Sequence, residues 1–191
     1  HRRDVVWAAR LAVEKGTPAV APAAERELLS NPAAFWNAFT QNRFHDYGQQ
    51  STRILASPLK VDRWVKQGDT VNWRGLQFQV LDTPGYTRGS ISYLAVLDGK
   101  KIAFTGDLIY GDGQLVDLYS FQDEIPDAQV RGYHGYGGRL AQLIESLKLI
   151  ALHEPDIIVP ARGPVIEDPA AAIETLTLRV KALYRSYLST N

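Results

Sequence analysis

Apolar residues along the chain recur at two different spacings, and the alternation between them outlines the elements. Val5, Val6, Ala8, Ala9, Ala12 and Val13 follow helical spacing, so residues 5–15 are expected to form a helix with Asp4 as its N-cap and Gly16 as its stop. Residues 18–22, PAVAP, read as a short buried strand. Residues 23–29 and 31–39 read as helices, the second capped by Asn31 and opened by Pro32. The polar stretch 40–57, with its scattered aromatics, is expected to be irregular. Residues 70–73 and 76–81 flank Arg74-Gly75, and residues 91–97 and 101–105 flank an Asp-Gly-Lys turn; both patterns predict β-hairpins. Residues 111–138 are rich in Gly, Asp and Tyr and read as a long loop. Leucines and isoleucines at three- and four-residue spacing predict an amphipathic helix over residues 139–153. A strand is expected at 156–160, and a closing helix at 168–188 with Asp168 as cap and Pro169 in the first turn. Hairpins mixed with helical crossovers predict an α/β sandwich with helices outside, one domain spanning residues 1–191.

Composition narrows the function classes. The 191 residues include 45% hydrophobic and 22% charged side chains, ordinary for a globular domain with its own core. Lys+Arg and Asp+Glu both number 21, so the formal net charge is zero and neither nucleic acid nor an anionic membrane is expected as a partner. Apolar runs are too short to span a bilayer, which leads us to expect a soluble, cytoplasmic protein. Cysteine is absent, which excludes thiol and disulfide chemistry. The sequence starts at His1, within what reads as a functional loop, and a segment upstream is therefore expected.

The chemistry gathers in three stretches, each at or after the end of an expected strand or at the opening of a helix. They are HRRDVVWAARLA at the start, DTPGYTRGS with FTGDLIY in the middle, and DIIVPARGPVI near the end. In order and spacing these resemble the metallo-β-lactamase superfamily of metal-dependent hydrolases. That family carries a His-x-His-x-Asp-His loop, then Pro-Gly-His-Thr, then Gly-Asp after a strand, then Pro-x-His-Gly. Gly106-Asp107 matches, LDTPGYTRGSISYL matches except at Tyr86, and IIVPARGPVI matches except at Arg162. The resemblance implies a metallo-β-lactamase-like αβ/βα sandwich with metals at one edge, here without the first strands of the fold.

Aligned on Asp4, the family's second histidine falls on Arg2 and the one after the aspartate on Val5, while two others fall on Tyr86 and Arg162. Only Asp4 and Asp107 stand at surviving ligand-type positions. Zinc requires imidazole, thiolate or carboxylate donors. Valine has none, and a guanidinium has no lone pair and repels a cation. Two carboxylates and a phenol suit at most a weakly held calcium or magnesium ion. No bound metal is therefore expected, and with no metal-bound water the family's hydrolysis is expected to fail. Arg2 and Arg162 would supply two positive charges against the two of Asp4 and Asp107, a counter-charge in place of the metals. The plainer reading leaves both arginines in solvent and Asp4 as a cap.

The four histidines add little. His1 is terminal, His45 falls in a polar loop, and His153 at a helix end complements the dipole. His134, in RGYHGYGG, falls where the resemblance implies a pocket border, so it is a candidate acid, base or ligand contact, with loop packing as the alternative. Trp36, Tyr110, Tyr119, Phe121, Tyr133 and Tyr136 serve either as core anchors or as a groove lining. Three readings compete: a metal-free relative kept for binding or assembly; a hydrolase of a small ester, thioester, lactam or phosphoester working through a rearranged site with zinc; and an inactive variant of an active parent. A small-molecule ligand, and a second chain or second copy covering the missing strands, are the expected partners.

Overall fold

The computed structural model describes residues 3–40, 55, 57–115 and 140–188, the side chains at 3–6, 36, 38–40, 184, 187 and 188 excepted. The chain divides into two compact units, one taking in His1–Val65 and Glu124–Arg131, the other Lys66–Asp123 and Gly132–Asn191.

In the first unit, α1 spans Arg3–Glu14. Asp4 therefore lies within the helix rather than at its cap. The stop at Gly16 has a physical basis: its φ of 81° is the left-handed conformation that glycine adopts without strain. The Gly16 amide donates to Val13 O and the Thr17 amide to Ala12 O, both at 2.9 Å, the paired bonds of a Schellman ending. The expected strand at 18–22 contracts to β1, Val20–Pro22, of which only Ala21 is fully buried. It pairs in parallel with β2, Arg63–Val65. β2 has no counterpart in the sequence reading, because a three-residue strand carries too short a pattern to show alternation. The expected helix at 23–29 divides into a 3-10 turn at Ala23–Glu25 and α2 at Arg26–Ser30. In α3, Pro32–Thr40, the Ala34 amide donates to Asn31 Oδ1 at 3.2 Å, so Asn31 does cap this helix.

The second unit is built on a five-stranded sheet in which the strands stand in chain order. β3 (Thr70–Trp73), β4 (Leu76–Asp82), β5 (Ile91–Leu97) and β6 (Lys100–Gly106) form an antiparallel meander, and β7 (Ile157–Pro160) joins β6 in parallel. Both hairpins turn on two residues of positive φ, Arg74-Gly75 at 49° and 82° and Asp98-Gly99 at 50° and 77°. These are primed turns, whose twist matches the right-handed twist of the strands they join. Two helices, α4 (Leu140–Leu152) and α5 (Pro169–Leu188), pack against each other. Their Leu143, Leu147, Ile150, Leu176 and Val180 form one buried cluster with Leu81, Leu94, Ala103 and Ile158 of the sheet. The opposite face of the sheet carries Phe78, whose ring lies 6.2 Å from Tyr93 edge-on and 6.0 Å from Phe104. Asp168 caps α5 through the Ala171 amide at 3.0 Å. No helix among the described residues is long and apolar enough to cross a membrane.

Candidate functional site

Sheet topology decides which of the candidate residues can meet. β4 and β6 both run antiparallel to β5, and β7 runs parallel to β6, so the C-terminal ends of β4, β6 and β7 lie at one end of the sheet. Tyr86 follows β4, Asp107 follows β6 and Arg162 follows β7. The β6–β7 ladder pairs Gly106 with Pro160 across a bulge, and the Ala161 amide donates to Gly106 O at 2.8 Å beyond it. This places the residues after the two strands side by side. There Arg162 Nε donates to Asp107 Oδ1 at 3.0 Å, a charge-assisted hydrogen bond inside an ion pair. The Asp107 side chain is 13% exposed and that of Arg162 31%. β4 stands two strands away from β6, roughly 10 Å at ordinary strand spacing.

The loop that carries Tyr86 is held by its neighbours. Ser146 of α4 donates its hydroxyl to Pro84 O at 2.7 Å. A side chain at Gly85 would put its Cβ 3.2 Å from Leu143 Cδ1, so the turn lies close against α4. Thr87 and Ser90 share a hydroxyl–hydroxyl bond of 2.8 Å, and Ser90 Oγ also accepts from the Thr87 amide at 3.0 Å. Below them, Thr83 and Ser92 bond across β4 and β5 at 2.8 Å in the buried interior. Tyr86 itself is buried. Past β6 the chain turns sharply, with the Leu108 amide on Thr105 O at 3.1 Å. The Thr105 hydroxyl, two residues from Asp107, is buried with no hydrogen-bond partner among the described residues.

A family model described as the metallo-beta-lactamase superfamily matches residues 6–162, which takes in Tyr86, Asp107 and Arg162. The chain belongs to the metallo-beta-lactamase superfamily. Among curated proteins it is similar to the human acyl-coenzyme A thioesterase MBLAC2, 31% identical over 121 residues, which is 63% of this chain and 36% of that protein. It is also similar to a hydroxyacylglutathione hydrolase of Aeromonas hydrophila, 36% identical over 56 residues, or 29% of this chain and 20% of that one. The matched segment thus covers well under two thirds of these relatives. A metallo-beta-lactamase family protein of Thermus thermophilus superposes on 91% of this chain and 56% of its own, with a TM-score of 0.63 at 17% identity, a likeness of fold.

Of the superfamily's site positions, the structure brings Asp107 and Arg162 together and places Tyr86 in a loop at the same sheet end. Asp4 and Val5 lie in the first turn of α1, in the other unit, and their side chains are not described. Arg2, His134 and His45 lie outside the described residues, as do Tyr119, Phe121, Tyr133 and Tyr136. His153 follows α4, where its backbone carbonyl accepts from Lys101 Nζ at 2.6 Å. Among the described residues, no three His, Cys, Asp or Glu side chains form a group that could hold a metal ion. The sequence reading missed Thr105 and Ser146. A threonine in a strand and a serine in an amphipathic helix give no signal of where they point.

Proposed function

We propose that this chain is a metallo-beta-lactamase-fold protein whose metal site has been given over to an ion pair, and that the scaffold is kept for binding or assembly rather than for metal-dependent hydrolysis. The observation that carries this reading is the 3.0 Å bond from Arg162 Nε to Asp107 Oδ1. Asp107 is the carboxylate the family would turn toward a metal, and here one of its oxygens accepts from a permanent cation. A zinc ion at that carboxylate would face the guanidinium across a few ångströms, with Tyr86 and Arg162 where imidazoles are needed. The residues present do not fit zinc. Asp4 and Arg2 belong to the same reading as a second pair of opposite charges, and His134 as a residue bordering the pocket.

A second reading has support from the relatives. Two of them bear the names of an acyl-coenzyme A thioesterase and a hydroxyacylglutathione hydrolase, which favours hydrolysis of a small thioester as the alternative. Elemental analysis combined with a thiol-release assay separates the two readings. The protein, loaded with zinc and then dialysed, is expected to retain well below one equivalent of zinc or iron. It is also expected to release no thiol from acyl-coenzyme A or acylglutathione above the buffer rate. Stoichiometric metal, or zinc-dependent thiol release, would overturn the proposal in favour of the hydrolase.

A further inference from the structure

A cavity lies in the unit that carries Asp107 and Arg162, between the turn after β6 and one flank of α5. Its volume is about 320 Å³, and Tyr110, Gln114, Leu115, Leu176, Val180, Leu183 and Arg179 supply the side chains that line it. Four of these seven are aliphatic, Tyr110 adds an aromatic ring with a hydroxyl, and Gln114 and Arg179 are polar. The cavity has the size and character of a small-molecule site: mostly apolar, with a few polar groups to fix orientation.

The wall is built rather than incidental. Tyr110 and Gln114 bridge across a turn whose amides and carbonyls pair at 2.8 and 3.2 Å. Within that turn Gly113 lies so close to α5 that a Cβ there would stand 2.5 Å from Ala172 O. Its φ of 80° is a second reason that glycine is needed. Arg179 Nη1 then donates to Gly113 O at 2.7 Å and to Asp112 O at 3.4 Å. The turn thus fixes one prong of the guanidinium. Nε and Nη2 have no hydrogen bond to any described residue, so donors of the fork remain for a ligand. A guanidinium presents its donors in a geometry that matches a carboxylate.

We infer that this cavity binds an aliphatic carboxylate of medium chain length, its chain along Leu115, Leu176, Val180 and Leu183 and its head on Arg179. The inference goes beyond the ion-pair reading and does not depend on it, because neither Asp107 nor Arg162 lines the cavity.

The test uses the intact chain and sodium salts of straight-chain carboxylates from butanoate to decanoate, titrated by calorimetry. Affinity is expected to rise about fourfold per added methylene, at ~0.8 kcal/mol for each buried CH₂, until the cavity is full. Methyl-resolved NMR with octanoate should move Leu115, Leu176, Val180 and Leu183. Octanol should bind at least tenfold more weakly than octanoate. Arg179 is an exposed side chain, so Arg179→Gln should leave the circular-dichroism spectrum unchanged while weakening octanoate about tenfold. Arg162→Gln should leave octanoate affinity unchanged. An affinity independent of chain length, NMR shifts confined to other methyls, or loss of binding in Arg162→Gln but not in Arg179→Gln would each overturn the proposal. Because these readouts need neither metal nor turnover, their failure is distinct from failure of the ion-pair reading.

Discussion

Replacing Arg162 by glutamine is expected to destabilise the protein by about 1–3 kcal/mol, and most of that cost should vanish if Asp107 is neutral. The range follows from where the pair lies between two limits. A solvent-exposed ion pair contributes ~0.2–1 kcal/mol, because water screens it and two long side chains must be ordered. Removing one partner of a fully buried pair costs ~3–5 kcal/mol, because a charge is stranded. Asp107 is close to the buried limit at 13% exposure, while Arg162 at 31% keeps part of its side chain in water. The bond is a charge-assisted one of ordinary length, 3.0 Å, and such bonds contribute ~1.5–3 kcal/mol. With Arg162 removed, water can reach Asp107 through the space it leaves, which pulls the cost below the buried limit. Urea unfolding of four proteins measures the coupling: the parent, Arg162→Gln, Asp107→Asn and the double variant. A coupling of about 1–2 kcal/mol is expected. A coupling indistinguishable from zero would mean that the carboxylate is stabilised by other groups, and the view that arginine took over the metal's counter-charge would fail.

Three further outcomes follow from the same structure. Gly113→Ala should destabilise by about 2 kcal/mol or more in urea melts, since its Cβ would stand 2.5 Å from Ala172 O at a φ of 80°. Ser146→Ala should cost ~1–2 kcal/mol by stranding Pro84 O, whose bond from Ser146 is 2.7 Å, and should speed amide exchange in the loop at 84–87. Thr105→Val should stabilise the protein by ~1 kcal/mol, raising Tm by about 2–4 °C, because it replaces a buried unpaired hydroxyl with a methyl of similar shape. A lowered Tm in Thr105→Val would mean that the hydroxyl has a solvent partner.

The elements readable from the sequence were those whose pattern is local and long. The two hairpins announced themselves through Gly75 and Asp98-Gly99, residue types that positive φ favours, while Arg74 takes a φ of 49° as the partner of Gly75. α4 and α5 were legible because three turns or more of apolar spacing leave little ambiguity, and Asp168-Pro169 marks a helix start. β2 was not, since Arg63-Trp64-Val65 is strand only by virtue of pairing with β1 more than forty residues earlier. Asp4 read as a cap because aspartate ahead of an apolar run commonly is one. Its place inside α1 reflects a helix that starts earlier than the apolar pattern does. Of the candidate site, the residues were proposed from motif order. The pairing of Asp107 with Arg162 was expected from their opposite charges, and the structure forms it because β6 and β7 are neighbours in parallel. The Arg179 cavity left no sequence signal, because a leucine stripe on a closing helix reads as core.

The parallel ladder also explains why arginine, rather than another residue, can stand against Asp107 without disturbing the fold. Residues after β6 and β7 leave the sheet side by side, joined by the Ala161 amide on Gly106 O, so their separation is set by strand spacing and hardly by side-chain choice. A bridging ion fills such a gap from the middle, and each partner need reach only half-way. Without it, one side chain must cross the whole distance and end in a donor. Arginine has the length, and the contact with Asp107 Oδ1 is made through its Nε at 3.0 Å. Lysine would bring a single point charge on a more strongly hydrated head, and glutamine would bring no charge to offset that of Asp107. The order of stability at this position should therefore be Arg162, then Arg162→Lys, then Arg162→Gln. All three should have the same far-UV spectrum, since the sheet that sets the gap is untouched. If Arg162→Lys were as stable as the parent, the planar fork would play no part, and any cation of sufficient reach would serve.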